Sequence, residues 1–211
     1  MARDDFVNRE TTAAEAVPGS PRRPESAARE RILTTASTLF ISTGIRSVGV
    51  DRLIAESGVA RATFFRHFPA KDDLVVAFLE RQAAEGRRMM TAVRTGPDGA
   101  RALLAEIASG AKMGMDCTGF RGCEFINTAA EYSDPEHPTR VVVDRHRAWV
   151  RDIMVDALTE LGHPNPFGTA EVLFTMRTGA IVASSLEGFR NADGAFDTAW
   201  WAIIDQVPVK R

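Results

Sequence analysis

Residues 47–68 read SVGVDRLIAESGVARATFFRHF. Val50, Leu53 and Ile54 recur at helical spacing, and Gly58 closes that segment. Val59 to Phe68 forms a second helix, with Phe64 and Phe68 four residues apart and Pro69 as its stop. Between them, Ser57-Gly58-Val59 makes a tight turn, and Gly58 can take the left-handed conformation it requires. Ahead of the pair, Ile32, Leu33, Ala36, Leu39 and Phe40 form a helical stripe that ends at Gly44. Val50, Ile54, Val59 and Phe64 can pack on that stripe. Arg61, Thr63, Arg66 and His67 are then left pointing outward. This pattern predicts a helix-turn-helix, whose second helix enters the DNA major groove by its N-terminal part while flanking groups hold phosphates.

Outward from this stretch, every segment continues to read helical. Lys71 to about Arg94 is long, with Leu74, Phe78, Met89 and Val93 on its apolar side and Gly96-Pro97 as the stop. Helices follow at 98–115, 123–132, 139–161, 167–189 and 195–207. In the last, Phe196, Trp200, Ile203, Ile204 and Val207 make an amphipathic stripe. No period-2 alternation argues for a strand. The expected fold is all-α with about nine helices. Residues 1–24 read as a disordered arm with Pro18, Gly19, Pro21 and Pro24. Residues 25–72 form the DNA-binding head, with the start of helix four reaching to about 87. Residues 73–211 form a helical body.

Composition narrows the class. A chain of 211 residues, 45% apolar and 26% charged, buries a core without staples. Two cysteines build no disulfide framework, and no apolar h-region or spanning run is present, so a cytoplasmic protein without membrane contact is expected. The net charge of −2 conceals a split. Residues 22–71 carry nine cations and four anions, so a basic head is joined to an acidic body. No phosphate-binding glycine loop, HExxH or GxSxG motif is present, so no enzyme is expected. No metal site or cofactor is expected either: Cys117, Cys123, His137 and His146 lack recognised zinc spacing.

Residues 29–80, RERILTTASTLFISTGIRSVGVDRLIAESGVARATFFRHFPAKDDLVVAFLE, resemble the DNA-binding domain of TetR-family transcriptional regulators. The elements are Ile32-Leu33, Ala36, Leu39-Phe40, Gly44, Ile54-Ala55, Gly58-Val59, Thr63 and Arg66-His67-Phe68, then Lys71 and Leu74. The resemblance implies that Arg61, Ala62 and Thr63 meet base edges or nearby phosphates. It also implies phosphate contacts from His67 and Lys71, and from the Ser47, Val48 and Gly49 entry to helix two. Phe65 stands where the family usually carries a Tyr, and its ring can still pack on sugar. Ala60 replaces the usual Ser cap, which forfeits about 1 kcal/mol. Arg66 completes the expected DNA-binding set.

The resemblance further implies a homodimer, a double-stranded operator and a small effector bound by the body. The expected pocket gathers Met113, Phe120, Cys123, Asn127, Glu131, His146, Trp149 and Phe174, and suits a largely apolar ligand with one or two polar groups. Any one of these residues can equally be ordinary core. The expected dimer interface includes Ala180, Ala183, Ser184, Trp200 and Ile204. Two other readings stay open: a DNA-associated protein acting mainly through protein partners, and a redox-sensing regulator using Cys117 and Cys123.

Overall fold

The computed structural model describes residues 24–96, 98–112, 120–187 and 193–205. Among them are nine helices and no strand. They run α1 (Pro24–Thr43), α2 (Val50–Ser57), α3 (Arg61–His67), α4 (Lys71–Arg94), α5 (Gly99–Lys112), α6 (Glu124–Glu131), α7 (Pro138–Glu160), α8 (Pro166–Glu187) and α9 (Asp193–Ile204). The expected arm up to residue 23 lies outside the described residues, as do Met113 and Cys117.

The head is built as its sequence dictates. Ile32, Leu33, Ala36, Leu39 and Phe40 of α1 are buried together with Leu53, Phe64 and Phe68. Val50, Ile54 and Val59 pack against that cluster. Gly58 sits at φ +63° and caps α2, its N–H donating to the Ala55 carbonyl. A side chain there would be held in a left-handed conformation, so the angle between α2 and α3 depends on this glycine. Gly44 ends α1 in the same way, at φ +91°.

Two apolar cores lie along the molecule. The first extends the head cluster through Leu74, Val75, Phe78 and Leu79 of α4 to Phe125 of α6 and Val142 and Val143 of α7. The second joins α5, the later part of α7, α8 and α9 around Leu104, Met154, Leu158, Leu173 and Trp200. Helix α4 belongs to both. Its first half is core in the head cluster, and Met90 packs on the second. Met89, expected on the apolar side, is instead exposed at 45%, because Met90 is the residue turned toward the body. Twenty-four helical residues span about 36 Å, so one rigid element connects the two cores.

Helix α3 starts without a side-chain cap: Ala60 has an extended backbone (φ −66°, ψ 145°) but no oxygen to offer the first N–H groups. The Ala60→Ser substitution is expected to raise unfolding stability by about 1 kcal/mol, read from urea denaturation midpoints. An unchanged or lowered midpoint would mean that the α3 N-terminus is already satisfied in another way.

Candidate nucleic-acid interface and effector cavity

Helix α3 presents two faces. Phe64 and the following Phe68 are buried, while Arg61, Ala62, Phe65 and Arg66 are exposed. The exposed four alternate with the buried pair at the helical repeat, so one solvent-facing strip carries two arginines and an aromatic ring. Arg61 reaches across to Asp51 in the first turn of α2, Nη1 to Oδ1 2.6 Å, and its guanidinium lies 5.4 Å from the centre of the Phe65 ring. Both partners of the ion pair are mostly solvent-exposed, at 66% and 86%. Such a pair is worth about 0.2–1 kcal/mol, so exchanging Asp51 for a phosphate or a base edge costs Arg61 little.

The other expected DNA residues divide. Ser47, Gly49 and Ala60 are exposed, beside the strip. Thr63 and His67 are half-buried at its edge, and the His67 Nε2 is buried without a hydrogen-bond partner. Val48 is fully buried in the head core, so its side chain is unavailable and only its backbone remains for contact. The Lys71 ammonium donates to the Ile45 carbonyl at 2.6 Å, tying the start of α4 to the loop after α1. Burial lowers its pKa, with Glu131 and Asp72 acting in the opposite direction.

The expected single pocket is two cavities. Asn127 and Glu131 line one of about 700 Å³, at the seam between the end of α1, Phe78 of α4 and α6. Cys123, His146 and Trp149 line another of about 270 Å³, among α4, α5, α7 and α8. Phe120, Gly122 and Glu124 border both. Asn127 and Glu131 therefore do not converge with His146. They lie on the head-facing side of α6, and the Asn127 amide is used in holding the Arg121 carbonyl at 2.7 Å. Phe174 lines neither cavity. It is buried in the second core, with the Arg147 and Arg151 guanidinium groups 4.7 and 4.3 Å from its ring centre.

The smaller cavity has the more distinctive chemistry. His146 stacks on Phe125, centroids 3.8 Å apart, and tilts toward Trp149. Its Nδ1 is buried and has no hydrogen-bond partner. Burial, then the charges of Arg177, Arg87 and Arg147, push its pKa down to about 4, so the imidazole is neutral at pH 7. Burial also pushes the Cys123 thiol up, so it remains protonated. A sensing thiol needs the opposite shift, and at Cys123 the lowering influences of Arg177 and of the Ile126 and Phe125 backbone are outweighed by burial.

Helix α6 links this cavity to the head. Its first turn, with Glu124 and Phe125, lines the smaller cavity. At its other end, the Arg46 guanidinium donates to the Glu131 carbonyl at 3.1 Å. The Tyr132 hydroxyl, just past the helix, donates to Asp72 in the first turn of α4 at 2.7 Å. His137 stands 3.5 Å from the same carboxylate. These ties were not legible in the sequence, where Arg46 reads as a solvated surface charge and Tyr132 as a helix end.

The expected interface residues are largely inside the chain. Ala180 and Ser184 of α8 are buried in the fold, and so are Trp200 and Ile204, because the stripe of α9 turns to the second core. Ala183 is half-buried. Trp201, next to the buried Trp200, is partly exposed with the Arg101 guanidinium 4.4 Å over its ring. Exposed apolar residues on α8 include Val172 at 47%, Val182 at 37% and Leu186 at 76%.

Because His146 is neutral in the folded chain and protonates more readily when unfolded, its contribution to stability is complete above about pH 6.5 and declines as pH falls toward 4. The His146→Phe variant is expected to lose less stability than the parent between pH 7 and pH 5, measured by urea midpoints at each pH. Identical pH slopes would remove His146 from the account.

Residues 32–78 match the family of bacterial regulatory proteins, tetR family. SCO4454, a TetR-family transcriptional regulator from Streptomyces coelicolor, superposes with TM-score 0.75 at 38% identity, over 85% of this chain and 95% of that one. The HTH-type transcriptional repressor NemR of Escherichia coli is 26% identical over 81% of this chain and 92% of its own length. A TetR-family regulator from Cytophaga hutchinsonii shares the fold, with TM-score 0.76 at 16% identity. With a helix-turn-helix head matching the family and a full-length likeness to SCO4454, the chain belongs to the TetR family of transcriptional regulators.

Proposed function

We propose that the protein is a homodimeric repressor that holds a palindromic operator and releases it when a small molecule enters the cavity beside His146. The observation that carries the DNA-binding part is the α3 strip. Arg61, Ala62, Phe65 and Arg66 are exposed together, and Phe64 and Phe68 anchor the helix from behind. Arg61, with Ala62 and Thr63 beside it, is assigned to base edges or nearby phosphates. Ser47, the Gly49 N–H, Ala60, Arg66, His67 and Lys71 are assigned to the backbone, where contacts fix register without reading sequence.

The dimer reading rests on α8. Val172, Val182 and Leu186 are exposed on one helix, with Gly179 among them and open space where its side chain would stand. A small residue in an apolar strip lets a second helix approach closely. Two heads carried this way would read half-sites about 34–36 Å apart, or a multiple of that.

Effector release follows from linkage. A ligand that favours a different position of α6 draws on Arg46 and on the Tyr132–Asp72 hydrogen bond, and Asp72 lies in the first turn of α4, directly after the head. A difference in ligand affinity of about 1–3 kcal/mol between the two arrangements loosens DNA by about five- to 150-fold. The name of NemR, a transcriptional repressor, agrees with this direction of control.

Selection from a random DNA library, read at two salt concentrations, is expected to return an inverted repeat. Arg61→Ala should then relax sequence preference, costing about 1–3 kcal/mol on the selected site, whereas Lys71→Ala should weaken all sequences alike. Enrichment of nothing, with binding lost steeply as salt rises, would overturn sequence-specific recognition. For the assembly, Leu186→Glu is expected to yield a monomer by sedimentation, with helical content unchanged. A dimer as tight as the parent's would move the interface away from α8.

A further inference from the structure

The cavity beside His146 holds two polar groups whose bonding is incomplete. Arg177 of α8 lines it, and among the described residues this guanidinium forms no ion pair or hydrogen bond. His146 offers a buried Nδ1 with no partner. The two are close enough that the Arg177 charge acts on the imidazole ring. The buried, orphaned ring nitrogen is costly to leave unpaired, and the half-buried guanidinium beside it has no partner of its own among the described residues, so both are open to an occupant.

The remaining wall sets the shape. Phe125 and Trp149 flank the His146 ring, and Ile107, Val150 and Ile181 supply apolar surface. The volume of about 270 Å³ lies at the small end for ligand sites and suits a bicyclic ring system rather than a long chain. Charge is distributed unevenly. Arg177, Arg87 and Arg147 all act on the His146 ring, and no carboxylate does. Glu106 of α5 and Glu124 of α6 also line the cavity, and neither is among the charges that act on that ring. The His146 end is therefore positive, and the neutral imidazole adds no charge but can donate or accept one hydrogen bond.

The geometry points to a small aromatic acid as the ligand, its carboxylate paired with the Arg177 guanidinium and hydrogen-bonded by His146, its ring system lying against Phe125 and Trp149. This rests on the reading of the same cavity as the effector site, and it deepens that reading by naming the class of compound. Arginine matches a carboxylate with two parallel N–H donors, which a lone ammonium cannot do. The apolar wall supplies affinity, and the Arg177 pair supplies selection for the acid.

The test uses three probes of one shape on the full chain: 2-naphthoate, 2-naphthamide and 2-naphthylmethylammonium, each titrated by calorimetry at neutral pH. The acid is expected to bind about ten- to hundredfold more tightly than the amide, and the ammonium most weakly. Arg177→Gln should remove the preference for the acid while leaving amide affinity nearly unchanged, and Arg177→Lys should restore part of it. Unchanged circular dichroism and thermal midpoints in both variants separate this from misfolding. Equal affinities, tighter binding of the ammonium, binding of none of the three, or an acid preference that survives Arg177→Gln would each overturn the inference. Operator affinity is measured in parallel on the selected DNA. Acid-selective binding that leaves operator affinity unchanged would uphold the anion site and overturn the effector reading.

Discussion

The continuity of α4 is the constraint on which the rest of the structure depends. Its first residues are locked to the head by Lys71 on the Ile45 carbonyl and by Leu74, Val75, Phe78 and Leu79 in the head core. Its later turns reach the body, where Met90 packs. An uninterrupted helix of this length transmits rotation and translation without absorbing them, because bending it costs backbone hydrogen bonds. In the body, α5 and α7 are the helices packed on α4, and the segment after α6 reaches its first turn through the Tyr132–Asp72 hydrogen bond.

The electrostatics fit a divided molecule. In the described part of the head, Arg29, Arg31, Arg46, Arg52, Arg61 and Arg66 are exposed, and ion pairs such as Arg61–Asp51 and Arg52–Glu56 are shallow and exchangeable. In the body, arginines are used differently. Arg147 and Arg151 lie over Phe174, Arg101 lies over Trp201 and bonds Asp205, and Arg145 pairs with Glu80 of α4. There the guanidinium plane acts as packing surface as well as charge. The same residue type thus serves as exchangeable surface charge at one end and as a cover over aromatic rings at the other.

Much of the head was legible in the sequence, since its constraints are local. Gly58 at the turn, Phe64 and Phe68 four apart and the α1 stripe each fix one neighbouring contact, and all appear as expected. Helix limits in the body were also close: α6 and α7 were expected at 123–132 and 139–161 and run Glu124–Glu131 and Pro138–Glu160. What periodicity cannot convey is the rotation of a helix about its axis relative to distant partners. Hence Met89, expected on the apolar side of α4, is exposed, Trp200, expected at a dimer interface, faces the core, and one pocket is expected where there are two cavities. Long-range ties such as Tyr132 to Asp72 leave no trace in local spacing.

That division has a further consequence. Phe120, Gly122 and Glu124 form a common partition, so the two cavities do not have independent sizes. A molecule that pushes the partition toward the head reduces the room at the Asn127 side, and one seated there does the reverse. Two chemically unrelated compounds could then antagonise each other without ever sharing a contact, and an inhibition pattern that looks competitive would not by itself mean a common site.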